Sequence, residues 1–187
     1  MGWSYSHVVL FGPDHHQVIR ELDGHEAAVS PTVNGFTLIA VPEARDGAKM
    51  LSFGRSLSAK LACPAVIISE FDDDVLEYTL LEASEVADSY NSTPDYFDFA
   101  GTHIPPRGPQ GGNTTKLCAL LGRPELEAQL EAILRNPELV DAPERHRQMV
   151  AMLGCPSFSV GFDYEALQEG ELPEGIEESE ITYLGSI

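Results

Sequence analysis

A chain of 187 residues suits one large domain, and at that size about 70% of the unfolded surface is buried on folding, so neither disulfide nor metal is needed to hold a core. Thirty Asp and Glu face eleven Lys and Arg, for a net charge of −19 and an isoelectric point near 4.4. That balance repels phosphate backbones and anionic lipid surfaces, which excludes nucleic-acid and membrane-surface binding as expected roles and leaves a basic protein partner, a cation or plain solubility.

The chain opens on Met1-Gly2-Trp3-Ser4-Tyr5-Ser6-His7, without the basic and apolar regions of a secretion signal. Gly2 and Ser6 fit a loose myristoylation pattern, but Trp3 and the apolar run behind it favour an early buried strand. No apolar run approaches the length of a membrane span. Cys63, Cys118 and Cys155 are sparse and lack Cys-x-x-Cys spacing, so they are expected as reduced core residues of a cytoplasmic protein.

Tyr5 to Phe11 is short, β-branched and aromatic, which predicts a strand. Gly12-Pro13-Asp14 opens a helix carrying Val18, Ile19 and Leu22 on one face, and Asp23-Gly24 ends it. Ala27 to Val33 and Phe36 to Val41 flank Asn34-Gly35, a pair suited to the positive φ angles of a tight hairpin turn. Pro31 lacks a ladder donor, which predicts an edge position for the first arm. Asp46 caps a second helix with Met50, Leu51, Phe53, Leu57 and Leu61 at helical spacing. Cys63-Pro64 ends that helix, and Ala65 to Ile68 continues as a buried strand. Val75 to Leu81 and Glu85 to Tyr90 predict a second hairpin.

From Asn91 to Gly112 the chain is rich in Pro and Gly and has no periodicity, and a loop of that length is usually functional or flexible. Beyond it, helices are predicted from Thr114 or Thr115 to Leu121, from Pro124 with Leu126, Leu130, Ile133 and Leu134, and from Pro143 with Met149, Val150 and Leu153. Phe158 to Phe162 predicts a short strand. The expectation is a single α+β domain over 1–187. It has a ferredoxin-like β-α-β-β-α-β antiparallel sheet, extended by a hairpin, within 1–90. A long loop over 91–112 and a mostly helical C-terminal part over 113–187 follow. This fold licenses no function by itself.

The sharpest polar feature is Asp72-Asp73-Asp74. Three carboxylates after a strand suit a hard cation such as Ca²⁺ or Mg²⁺, but the Gly and distal Glu of a calcium loop are missing. On extended backbone only Asp72 and Asp74 share a face. The plainer reading is a tight turn with Asp as turn former. The six histidines show neither His-x-His nor His-Glu-x-x-His spacing, so no metal is expected. The Gly-rich run before Thr114-Thr115-Lys116 lacks the Gly-Lys-Ser/Thr order of a phosphate loop. There is no Gly-x-Ser-x-Gly elbow. Glu144-Arg145-His146-Arg147 is the densest basic spot and is expected to pair with the chain's own acids. No lysine or arginine follows Arg147, and the acidic stretch beyond reads first as a solvated surface.

Three segments carry a resemblance. They are Phe71-Asp72-Asp73-Asp74-Val75-Leu76-Glu77-Tyr78 continuing to Asp88-Ser89-Tyr90-Asn91-Ser92-Thr93-Pro94-Asp95-Tyr96-Phe97, then Glu144-Arg145-His146-Arg147, then Pro156-Ser157-Phe158-Ser159-Val160-Gly161 continuing to Glu169-Gly170-Glu171-Leu172-Pro173. Together they resemble a group of acidic bacterial hypothetical proteins of unknown function. The resemblance implies a bacterial cytoplasmic origin and brings no activity, cofactor or catalytic residue. Two expectations follow. The first is a non-enzymatic interaction or immunity-type protein that meets a basic protein. The second is a cation-dependent or small-molecule enzyme, with its site where Asp72, Asp73 and Asp74 meet the long loop, Tyr96 and Phe97 as walls and His103 as a base.

Overall fold

The computed structural model describes residues 2–96 and 108–185. Its strands are β1 (Tyr5–Phe11), β2 (Ala27–Val29), β3 (Phe36–Ala40), β4 (Ala65–Phe71), β5 (Val75–Glu82), β6 (Glu85–Asn91), β7 (Gln110–Gly111) and β8 (Thr182–Leu184). Its helices are α1 (His15–Glu21), α2 (Gly47–Leu61), α3 (Thr114–Leu120), α4 (Glu127–Arg135), α5 (Ala142–Leu153) and α6 (Tyr164–Gln168). The strands form one open antiparallel sheet in the order β7-β6-β5-β4-β1-β3-β2-β8.

Local chemistry sets the boundaries. Asp14 and Gln17 form a reciprocal capping box at α1, and the Asp46 carboxylate accepts the Ala48 and Lys49 amides at α2. Asn34 and Gly35 take φ of 52° and 84°, which closes the β2–β3 connection as a tight turn. The β5–β6 turn has the same positive φ at Ala83 and Ser84, two residue types that do not announce it.

Alternation along the strands separates two cores. Val8 and Leu10 of β1 point to the layer of α1 and α2, where they meet Val18, Leu22, Met50 and Leu57. Tyr5 and Val9 point the other way, into a core with Leu117, Leu130, Met149, Leu153, Phe158 and Phe162. The sheet is therefore covered on both sides, and β1 lies between β4 and β3 near its middle.

The C-terminal part differs from expectation. Its helices alternate with three 3₁₀ turns and irregular stretches among the described residues, and its last strand, β8, pairs with β2. Pro31 therefore lies just past a strand that β8 covers rather than on an open edge. Phe158 to Phe162 is not a strand: Ser157–Ser159 is a 3₁₀ turn and Gly161 has φ +88°, which turns both Phe158 and Phe162 into the core. Asn113, not a threonine, caps α3, and Asp141 caps α5.

Candidate functional site

Asp72 and Asp73 sit in the left-handed region, at φ 57° and 65°, in the turn joining β4 to β5. Asp tolerates that conformation better than most residues. The turn is tied on several sides. The Asp72 carboxylate accepts the Gly2 amide at 2.5 Å and the Tyr96 hydroxyl at 3.2 Å. The Asp72 amide donates to Ser4 Oγ at 2.9 Å and the Asp73 amide to the Trp3 carbonyl at 3.2 Å. The Asp73 carbonyl accepts the Ala142 amide at the start of α5 at 2.9 Å. A Cβ on Gly2 would lie 2.2 Å from the Asp72 carbonyl oxygen, so only glycine allows this approach. The structure thus brings Tyr96 to the Asp turn, while Phe97 and His103 lie outside the described residues. Among the described residues no group of three or more His, Cys, Asp or Glu side chains is arranged to hold a metal ion.

A second polar assembly was not legible in the sequence, and it is the most organised one in the core. The Tyr5 hydroxyl lies 2.8 Å from His146 Nδ1. His146 Nε2 lies 3.4 Å from Ser159 Oγ, which lies 3.0 Å from His7 Nε2. The rings of Tyr5, His7 and His146 stack on one another with centroids 5.7 to 6.1 Å apart. His7, His146 and Ser159 are wholly buried. Burial lowers the pKa of His7 to about 3, opposed by the Phe162 backbone, and holds that of His146 well below its ordinary range, so both are neutral.

With both rings neutral, the tautomer of His7 sets the direction of this chain. The Phe162 backbone favours a proton on His7 Nδ1, although no partner there meets full hydrogen-bond geometry. His7 Nε2 is then the acceptor, so Ser159 donates to it. Ser159 in turn accepts from His146 Nε2–H, which leaves His146 Nδ1 to accept from Tyr5. In this order Ser159 and His146 each donate once and accept once. Beside it the buried Asp163 carboxylate accepts the amides of Ser6, Glu165 and Ala166 and so joins β1 to α6.

A narrow apolar cavity of about 40 Å³ reaches His146 and Ser159 and is lined further by Val9, Leu121, Met149 and Cys155. That is room for water rather than for a substrate. Burial pushes the Cys155 thiol up to about 12, so it stays protonated and unreactive. A larger recess of about 440 Å³ opens between α1 and α2, where Lys49 and Lys60 face Glu21, Glu26 and Glu43 in mixed charge.

Glu70, opposite Tyr5 in the β1–β4 ladder, is 1% exposed, and neither carboxyl oxygen has a partner of good geometry. Burial raises its pKa to about 8, aided by Asp73, Asp141 and Asp72 and opposed by the Asp73 backbone.

The basic spot of α5 divides its duties. Arg147 pairs with Glu144, as expected. Arg145 instead turns inward, 4% exposed, and donates to the carbonyls of Ile133, Leu134, Asn136 and Leu139. It neutralises the exposed carbonyls at the C-terminus of α4. No protein-family model, curated protein or solved structure matches this chain.

Proposed function

We propose that the protein is a non-enzymatic, immunity-type interaction protein of the bacterial cytoplasm that offers a rigid acidic face to a basic protein partner. The observation that carries this reading is the stretch from α6 to β8. Glu165, Glu169, Glu171, Glu174, Glu177, Glu178 and Glu180 are all exposed there. Among the described residues only Glu165 forms an ion pair, with Arg45 at 2.6 Å. The stretch is anchored rather than a tail: Pro173, Ile176 and Ile181 are buried between the acids, and Glu177 and Glu180 cap each other's turn. Carboxylates held in place present a field without the ordering cost a flexible tail would incur on binding.

The supporting scaffold is read as one domain whose first half is ferredoxin-like. The antiparallel order β4-β1-β3-β2, with α1 and α2 on one face, supports that reading. The enzymatic alternative at Asp72–Asp74 has less behind it, because a ligand there would have to displace Gly2 and Tyr96 from the Asp72 carboxylate.

The test is charge reversal in two places. Variants with Glu171, Glu174, Glu177 and Glu178 changed to Lys are compared with variants carrying four reversals at Asp23, Glu85, Glu125 and Glu138, in capture from the native host at low and high salt. Loss of a salt-sensitive basic partner only with the first set is the expected result. Equal capture by both sets, or none by the parent chain, defeats the proposal.

A further inference from the structure

We propose that Glu70 is the proton-bound latch of a clasp joining the N-terminal segment, the β4–β5 turn and the start of α5, and that its ionisation releases the clasp. The proposal is independent of the acidic face described above.

The clasp is drawn by hydrogen bonds that meet on one turn. Gly2, Trp3 and Ser4 bond to Asp72 and Asp73 from one side, and Ala142 bonds to the Asp73 carbonyl from the other. Glu70 is the last residue but one of β4, beside this turn, and is buried on the same sheet face as Tyr5. As a neutral acid it is tolerated there. As an anion it has no donor of full hydrogen-bond geometry, the Asp73 backbone being the one group that favours its charge, and a buried charge short of partners is costly.

The groups that face it favour the proton. From the turn come Asp72 and Asp73, and from the head of α5 comes Asp141. From β1 comes the Tyr5 hydroxyl, itself uncharged. The cross-strand neighbour on β5 is Leu76. Arg147, a cation that acts on the neighbouring Tyr5, is itself paired with Glu144. The N-terminal dipole of α5 favours negative charge, but Asp141 already caps that end by accepting the Glu144 amide at 2.7 Å. On ionisation the new charge sits among three carboxylates, two on the turn and one on α5. Parting the turn from the start of α5 lets water reach it.

Trp3 is the single tryptophan and reports on this movement directly. Its ring packs edge-on against Tyr5 at 6.3 Å and over Gly161, while its carbonyl holds the Asp73 amide. The experiment is Trp3 fluorescence against pH from 6 to 9.5, with far-UV circular dichroism alongside. The intact chain should show one transition centred near pH 8 at constant secondary structure. Glu70→Gln should hold the low-pH signal throughout. Asp141→Asn, which retains a capping side chain, should move the midpoint to lower pH and guards against Glu70→Gln failing to fold. A flat wild-type profile between pH 7 and 9, a transition that survives Glu70→Gln, or an unmoved midpoint in Asp141→Asn each overturns the proposal.

Discussion

His7 and His146 stack with ring centroids 6.1 Å apart and reach toward one serine hydroxyl, that of Ser159, through their Nε2 atoms. Two imidazoles so placed cannot both carry charge, and burial keeps them neutral.

A pH profile of stability follows. Histidines whose folded pKa is depressed contribute stability that is full above the ordinary value of 6.5 and is lost as pH falls toward about 3 for His7. Glu70, raised from 4.5 to about 8, does the opposite: its contribution is full below 4.5 and is lost as pH rises through 8. Each group tilts stability by about 1.4 kcal/mol per pH unit within its window. Just below pH 6.5 the two histidine terms rise against one falling term, and from 6.5 to 8 only the falling term acts. Urea midpoints measured from pH 5 to 8 are expected to peak near 6.5. Glu70→Gln should flatten the alkaline limb, and a profile still rising between pH 6.5 and 8 would contradict this balance.

The relay also predicts coupling between its ends. Tyr5→Phe leaves His146 Nδ1 without a donor, and Ser159→Ala leaves both Nε2 atoms unpartnered. Each change should cost about 1–3 kcal/mol. Because the groups act in one chain, the double variant should lose less than the sum, by at least about 0.5 kcal/mol in a denaturation cycle. Simple additivity would show that the groups act separately.

Arg145 is predicted to be intolerant of lysine. Its planar fork meets carbonyls of four residues at the end of α4, and an ammonium group cannot reach that set. Arg145→Lys should destabilise by about 3 kcal/mol, read from the thermal midpoint. Arg147→Lys, on an exposed pair with Glu144, should change it by less than about 0.5 kcal/mol.

A local test lies at Gly111, where an added Cβ would come within 1.8 Å of the Ser89 carbonyl oxygen and φ is +70°. Gly111→Ala should unseat β7 from β6. The cost is of order 1–3 kcal/mol, with faster amide exchange confined to Asn91 and Gly112, whose amides face across the β6–β7 pair. Exchange unchanged at those amides would show that β7 is not held there.

What was readable in the chain was whatever local chemistry decides alone. Asn34-Gly35, the Asp46 cap and the Asp72–Asp74 turn each act within a few residues. β7 and β8 were not readable, because two or three residues such as Gln110-Gly111 acquire strand character only from the strand they meet. Tyr5 and His146 are 141 positions apart, and no spacing rule links them. His7 gave one faint signal, as a polar residue where the alternation of β1 calls for an inward side chain. Arg145 looked like its neighbour Arg147, and only helix packing separates their roles.

The central place of β1 has a consequence for the order in which the protein is made. Ser6 and His7 leave the ribosome well before Asp163 and Ser159, which complete their hydrogen bonds 157 and 152 positions later. Until then this strand carries polar groups that a closed core would leave unsatisfied. During synthesis the nascent sheet therefore has reason to stay open and hydrated on that face, and closure waits for the segment that carries Ser159 and Asp163.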